Sequence, residues 1–551
     1  MNVRRRRFAR EVIVFVMLLN ILNNGSSAEQ GAYFAKREYV PKPLPTFDTT
    51  KDKLPSPIYD EDPNYVRCYW KAWELAFRNF HEPTPQSGYV SQFIDAAFNQ
   101  NIFLWDTCFL TMFCNYAHPY VPGICSLDNF YARQHEDGEI CREINRTTGK
   151  DFEPWVNREG RQLFSRWGYA WEKGQKKTDV IYKGRPVPTP APKLTLDSLN
   201  HPIFAWAELE SYRITGDKAR LELVWGPLVR YYEALEKYLR QGNGLYITDS
   251  ASMDNATRNI YLESGGTGID ISSEMVLFAR NLSQIAGIIG KRPEARQYRR
   301  KADELTRLIN KLMWDAERSF YFDLTLKGKR APVKSIAAFW TLLAKVASKS
   351  QAEALAAELG NPGTFATLHR VPTLAADEPG FNPDGGYWNG AIWAPTEKMV
   401  IQGLENYGYD GLAREIAMNH LDNVVEVFKK TGTLWENYAP QSISRGKPSR
   451  GDFVGWTGIG PIAFFIEYAV GIKADAAANL VIWDIKSPRR LGIENFWFGQ
   501  KTVSLVCREP DARGNRTVKV RSDGDFRLTI RFNEKTKTVE IRAQEPVEVE
   551  I

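Results

Sequence analysis

Six cysteines and six histidines in 551 residues leave little material for metal or redox chemistry. The cysteines (Cys68, Cys108, Cys114, Cys125, Cys141 and Cys507) form no Cys-x-x-Cys pair, and the histidines show no ligand spacing along the chain. Neither a zinc nor an iron site is therefore expected, and no cofactor is implied. In an exported chain Cys125 with Cys141, or Cys108 with Cys114, are pairings that stay open, although a fold of this size does not need them. A strong charge of one sign is also lacking. The formal net charge is +6, but residues 1–28 hold Arg4, Arg5, Arg6, Arg7 and Arg10 against Glu11, so the remainder is near +2. That balance excludes nucleic acid as an expected partner. Long hydrophobic runs are missing too: Val12 to Leu22 is too short to span a bilayer. No self-similar unit recurs, which argues against a solenoid.

The arginines, the short apolar run and Ser26-Ser27-Ala28 before Glu29 read instead as an export signal over 1–28, leaving no stable membrane anchor after cleavage. Residues 29–64, rich in Pro, Lys and Asp, read as an extended arm. From 65 to 475 the chain is mostly amphipathic helix joined by long loops. Clear segments are Tyr65 to Phe80, His201 to Thr215, Ala219 to Arg240, Ile271 to Ile289, Pro293 to Met313, Val333 to Ala347 and Gly411 to Lys430. About a dozen helices with polar, aromatic loops between them suggest an (α/α)6 barrel. Over 476–551 the pattern shifts to short strands, Leu480 to Trp483, Thr502 to Cys507, Thr517 to Arg521, Phe526 to Phe532 and Lys537 to Arg542, separated by Gly and Asp/Asn turns. This is a small antiparallel β domain, either a cap on the barrel or a glycan-binding module.

Aromatic residues are plentiful, with 16 Trp, 24 Tyr and 29 Phe. Flat rings stack on the apolar face of a pyranose, though large helical cores also consume them. Two loops each set a single carboxylate among polar side chains, Asp254 within Ser252 to Arg258 beside an amide, and Glu436 within Gly432 to Pro440 among an amide and aromatic rings. Hydrolysis of a glycosidic bond needs two carboxyl groups across the bond, one protonating the leaving oxygen and one activating water. Asp254 and Glu436 are the candidate catalytic pair. Taken alone, each has a plainer reading: Asp254 as a helix cap or Asx-turn residue, Glu436 as a loop carboxylate in a surface ion pair.

Four stretches resemble, in order, segments of the clan of inverting (α/α)6-barrel glycosidases that holds processing α-glucosidases, trehalases and mannosylglycerate hydrolases. Trp105-Asp106-Thr107 is similar to a Trp-Asp-Thr segment whose Asp holds sugar hydroxyls. Ser252 to Arg258 is similar to the segment carrying the general acid. Gly385 to Pro395 is similar to a Gly-Gly-Tyr-Trp-Arg-Gly-Pro-Ile-Trp segment, and Trp435 to Tyr438 to the segment carrying the base. The resemblance spans roughly 101–472. It implies single-displacement release of a terminal, α-linked sugar from an oligosaccharide or glycoside, with Asp254 as acid and Glu436 as base. The departures are specific. Met253 stands where Trp is usual, Ala256-Thr257 replaces Ser-Pro, Asn389 stands where Arg is common, and the Gly-Gly-Arg of trehalases is absent before Trp105. Trehalose is therefore not the expected substrate, and the glycone need not be glucose.

Further candidate binding residues follow from type and place. Trp388 and Trp393 line a sugar pocket or fill a core. Trp105 and Asp106 hold sugar hydroxyls, or Asp106 caps a helix. Gln134 and His135 form a binding loop or a solvated turn, and Asn200 and His201 present an amide and an imidazole or cap a helix. Asn255 lies beside the acid, Arg258 supports the acid loop or binds substrate, Trp435 flanks the base, and Trp456 closes the pocket. Asn255-Ala256-Thr257 is an N-glycosylation sequon whose glycan would block the site, which points to bacterial export, to the periplasm or beyond. Two other readings remain: a lyase or epimerase on the same barrel, using His135, His201 or His369 with nearby tyrosines, and an inactive glycan-binding protein.

Overall fold

The computed structural model describes residues 37–551, apart from 249–252, 263–264 and most of 153–200. Asn200 and the expected signal segment lie outside the described residues. Twelve helical segments alternate between an outer and an inner layer. The outer layer comprises α1 (Pro63–Phe77), α3 (Ser126–Ala132), α5 (Lys218–Leu239), α7 (Arg292–Leu312), α9 (Lys349–Leu359) and α11 (Asp410–Thr431). The inner layer comprises α2 (Leu104–Cys114), α4 (Phe204–Thr215), α6 (Ile269–Ile288), α8 (Trp340–Leu343), α10 (Ala394–Glu405) and α12 (Gly460–Val470). Short 3-10 turns, Ile336–Phe339 and Trp456–Ile459, lead into α8 and α12. Each inner segment packs on the next, α2 on α4, α4 on α6, α6 on α8, α8 on α10, α10 on the turn before α12, and that turn back on α2. The ring closes, giving the (α/α)6 barrel.

The two layers differ as their sequences require. Along α7 only Tyr298, Ala302, Leu305 and Ile309 are buried, one stripe on an otherwise charged helix. Along α2 all eleven residues are buried, because an inner helix is covered on every side. Val333 to Ala347, read as one helix, is helical only over 336–343. Ser335 instead bridges Leu374, and Lys345 at φ +54° ends the helix.

The β domain has two sheets. With β1 (Ser56–Tyr59), β2 (Ile472–Asp475), β3 (Leu480–Ile485), β4 (Leu491–Phe498), β5 (Lys501–Cys507), β6 (Thr517–Ser522), β7 (Phe526–Phe532), β8 (Lys535–Ile541) and β9 (Val547–Glu550), the orders are β1-β4-β5-β6-β9 and β2-β3-β7-β8. Pairing is antiparallel except between β3 and β7. The arm is thus not merely extended: Ser56 to Tyr59 pairs with Glu494 to Leu491 and completes the first sheet. No disulfide joins any of the six cysteines. No helix among the described residues is long and apolar enough to cross a membrane.

Candidate active site

The loops between helices gather three of the four quoted motifs around one another. Gly432, in the left-handed conformation at φ +72°, stops α11 and turns the chain into the loop that carries Glu436. There the Glu436 N–H donates to the Arg450 carbonyl at 2.9 Å, and the Arg450 N–H donates to Glu436 Oε2 at 3.2 Å. The Trp456 indole donates to the Glu436 carbonyl at 2.9 Å, and the Tyr387 hydroxyl donates to Glu436 Oε1 at 3.2 Å. Glu436 is 4% exposed. Burial raises its pKa above the ordinary carboxylate range, the Arg450 N–H and the Tyr387 hydroxyl oppose that rise, and the charge of Asp254 adds to it.

Asp254, the candidate acid, is half-buried in its loop. The loop is clamped from both ends. On one side Asn255 Oδ1 accepts from the Trp388 N–H at 2.9 Å and its amide donates to the Gly386 carbonyl at 3.0 Å. Asn389, where the resembling segments carry Arg, accepts from the Thr257 N–H and hydroxyl, each at 2.9 Å, and donates to the Asn255 carbonyl. On the other side Arg258 is fully buried between Asp323, 2.8 Å from Nε, and Asp270, 3.0 Å from Nη2. Asn259 donates to the Met253 carbonyl at 2.7 Å. Beneath them His201 Nδ1 lies 2.8 Å from Glu274. Burial disfavours the charged imidazole, but the carboxylates of Glu274 and Asp270 prevail and raise its pKa.

The Gly385 to Trp393 turn links the two loops. Gly390, at φ +146°, is obligatory there, since a Cβ would sit 2.7 Å from the Asn382 carbonyl oxygen. Trp388 and Trp393 stack with centroids 4.4 Å apart and planes within 2°. Trp456 tilts against Trp393 at 5.5 Å, and Trp105 meets Trp388 and Trp456 edge-on, each at 6.3 Å. Asp106, in the first turn of α2, is pushed up to about 8 by burial, with the charges of Glu143 and Asp254 adding to the rise. A rise of this kind favours the protonated carboxyl, which can donate as well as accept a hydrogen bond.

Among the candidate residues, Trp105, Asp106, Asn255, Trp388, Trp393 and Trp456 are brought together with Asp254 and Glu436. Trp435 is half-buried, its indole donating to Thr431 and its face under the Arg445 guanidinium. Arg258 and His201 serve the acid loop from below. Gln134 is spent on structure, its amide donating to the Gly138 and Pro227 carbonyls, and His135 pairs with Asp151. Three positions had no role assigned from sequence: Tyr387 on Glu436, Asn389 on the Asp254 loop, and Arg450. The first two lie inside a motif already quoted, so their signal was present; Arg450, stacked over Phe98, has none. The histidines, unspaced along the chain, are not all apart in space. His369 and His420 meet Glu397 in a buried group on the inner side of the base loop.

With the two carboxylate loops joined by one aromatic turn, comparison with known proteins becomes specific. Residues 170–457, more than half of the chain, match the family described as the mannosylglycerate hydrolase MGH1-like glycoside hydrolase domain. The chain belongs to the MGH1-like glycoside hydrolases. An uncharacterized protein of Borreliella burgdorferi is 29% identical over 360 residues, which cover 63% of this chain and 74% of that protein. A periplasmic trehalase of Salmonella newport is 28% identical over 183 residues, 32% of this chain and 30% of the trehalase. The solved GH63 mannosylglycerate hydrolase of Thermus thermophilus, in complex with glucose, superposes with a TM-score of 0.52 at 18% identity, over 72% of this chain and 99% of that one. The MGH1-like chain thus shares a fold with that enzyme, and its substrate is a carbohydrate.

Proposed function

We propose that this MGH1-like hydrolase is an exported, exo-acting enzyme that releases a terminal α-linked sugar from an oligosaccharide or glycoside with inversion. In this mechanism Asp254 protonates the glycosidic oxygen while Glu436 takes a proton from a water attacking the anomeric carbon from the opposite face. The bond between the anomeric carbon and the leaving oxygen breaks as the bond to water oxygen forms. Asp106 and the Trp105, Trp388, Trp393 and Trp456 rings hold the sugar as positive charge develops. The observation that carries the reading is the shared turn: Asn255, next to Asp254, bonds to the Trp388 and Gly386 backbone, while Tyr387 in the same turn donates to Glu436. Asp254 is also close enough for its charge to raise the Glu436 pKa. Two carboxyl groups serving one pocket, one able to give a proton and one able to take it, are what single displacement needs.

The first substrates to offer are mannosylglycerate and trehalose, which appear in the relatives' names, followed by α-linked gluco-, manno-, galacto- and rhamno-oligosaccharides. Proton NMR of the first-formed product reads the anomer directly, and inversion is the expected result. Asp254→Asn and Glu436→Gln should each lose about 10³-fold or more in kcat while keeping the wild-type melting profile. Near-normal turnover by either folded variant, or retention at the anomeric centre, would sink the assignment.

A further inference from the structure

We infer that His369, Glu397 and His420 form a structural site for a divalent transition metal of the zinc class, on the inner side of the base loop. The inference does not rest on the glycosidase reading. The three residues come from different elements: Glu397 from the first turn of α10, His420 from the middle of α11, and His369 from the loop before the Gly385 turn. All three are buried, with Glu397 and His420 at 0% exposure and His369 at 1%. His369 Nε2 lies 2.9 Å from His420 Nδ1, and His420 Nδ1 lies 3.8 Å from Glu397 Oε1. One ligand atom from each residue falls within 4.8 Å of the others.

The polar accounting is what points to a cation. Neither carboxyl oxygen of Glu397 has a protein hydrogen-bond partner, and 3.8 Å to an imidazole nitrogen is too long to be one. Burying an ionised carboxylate in that state is costly. Protonating it removes the charge yet leaves a buried hydroxyl and carbonyl without protein partners. A metal ion accepts the lone pairs of two neutral imidazoles and one carboxylate at once, displacing the carboxyl proton to solvent.

The spacing fits. Tetrahedral zinc with ligand bonds of about 2.0–2.1 Å separates its ligand atoms by about 3.3 Å. The observed 2.9 and 3.8 Å bracket that value, and the third pair, His369 with Glu397, lies within 4.8 Å, so side-chain rotation is needed to close the set. Two imidazoles and a carboxylate suit zinc, with water in the fourth position. The surroundings are those of a structural site: Tyr438 packs on His369 and His420 at 5.7 and 6.2 Å, and Phe464 packs edge-on against His420. The His369 N–H donates to the Pro440 carbonyl, and Tyr438 pairs with Ile392, so the site braces the base loop two residues from Glu436.

The test uses the whole chain, purified without a metal-affinity tag. Elemental analysis after dialysis should find about one zinc per chain. Removing the metal with a strong chelator should lower the melting temperature, and added zinc should restore it. Cobalt(II) loaded into the stripped protein should give the intense visible bands of a tetrahedral site. Glu397→Gln and His420→Ala should lose the metal, and His118→Ala, which changes a histidine outside the cluster, should keep it. A folded wild-type chain that holds no metal, shows no cobalt bands and melts identically with and without zinc would overturn the site and leave a neutral hydrogen-bonded or hydrated cluster in its place. If the variants fail to fold, the wild-type stoichiometry and the cobalt spectrum still decide.

Discussion

Tyr387 sits at φ +63°, a left-handed conformation that costs a non-glycine residue about 1–3 kcal/mol. Such strain persists where the surroundings impose it, and here it aims a hydroxyl at Glu436. That donor opposes the rise in the Glu436 pKa caused by burial. A base must be ionised, so activity falls as pH drops through its pKa. Tyr387→Phe removes the opposing donor, and the acidic limb of the kcat/KM profile should move to higher pH with a lower plateau. A limb that stays in place would separate Tyr387 from the base. Asp106 makes the complementary case. Its carboxyl titrates near 3.8 in the unfolded chain and is pushed up to about 8 in the fold. Between those values the folded state holds a proton that the unfolded state has released, so this residue erodes stability as pH rises from about 4 to 8. Asp106→Asn should therefore raise stability at pH 8 by roughly 1–3 kcal/mol while sharply reducing turnover, and calorimetry across that range should show the pH slope flattened. Asp254, Glu436 and Asp106 could be picked out in the sequence because each sits in a short stretch that resembles a segment of the glycosidase clan, with aromatic neighbours beside Glu436 and Asp106. Glu397, His369 and His420 were not, because 23 to 28 residues separate each from the next and only the packing of α11 on α10, with the His369 loop held at Pro440, joins them.

At the scale of elements, the acid loop depends on a charge sandwich buried beneath it. Arg258 satisfies Asp270 and Asp323 together, and Asp323 also accepts from the Ile269 N–H at the start of α6. Replacing the guanidinium with an apolar side chain strands two buried carboxylates. Arg258→Met should cost about 3–5 kcal/mol, and Arg258→Lys should recover only part of it, because an ammonium cannot bridge both carboxylates as the planar fork does. Chemical denaturation of the two variants measures this. Loss below about 1 kcal/mol for Arg258→Met would mean that the sandwich is not what holds the loop. The same scale explains which helices could be read from sequence. The outer helices α1, α5, α7 and α11 carry one apolar stripe and were placed to within a few residues. The inner helices α4 and α6 were placed as well, since each keeps partly exposed positions, whereas α2, α10 and α12, buried almost throughout, carry no clear amphipathic period and were given no bounds. Strand β4 was missed for a related reason: a bulge between Ile493 and Phe496, with Asn495 at φ +54°, breaks its alternation.

For the whole molecule, the arm ties barrel to β domain. Strand β1 pairs with β4, which is otherwise the outer strand of the first sheet. Just before it Leu54 is fully buried, and Tyr59 packs edge-on against Phe465 of α12 at 5.6 Å. Arg37 reaches Asp128 on α3 at 3.1 Å, and Asn495 on β4 donates to the Asp52 carbonyl. The β domain touches the barrel directly as well: His118 stacks on Trp497 at 5.2 Å, and the Gly499 N–H donates to the Ile214 carbonyl at the end of α4. An arm bonded to both parts makes their unfolding cooperative. Deleting residues 29–61 removes the burial of Leu54 and Tyr59, at about 1.5–3 kcal/mol for each large side chain, and also the β1–β4 ladder. It further uncovers the edge of β4, whose unpaired backbone groups invite pairing with another chain. The truncated protein should melt several degrees lower, show two transitions where the whole chain shows one, and aggregate on heating. Scanning calorimetry with light scattering reads all three. A single transition at the original temperature would mean that the barrel and the sheets hold each other without the arm, and that β1 is a passenger on an edge already closed by other means.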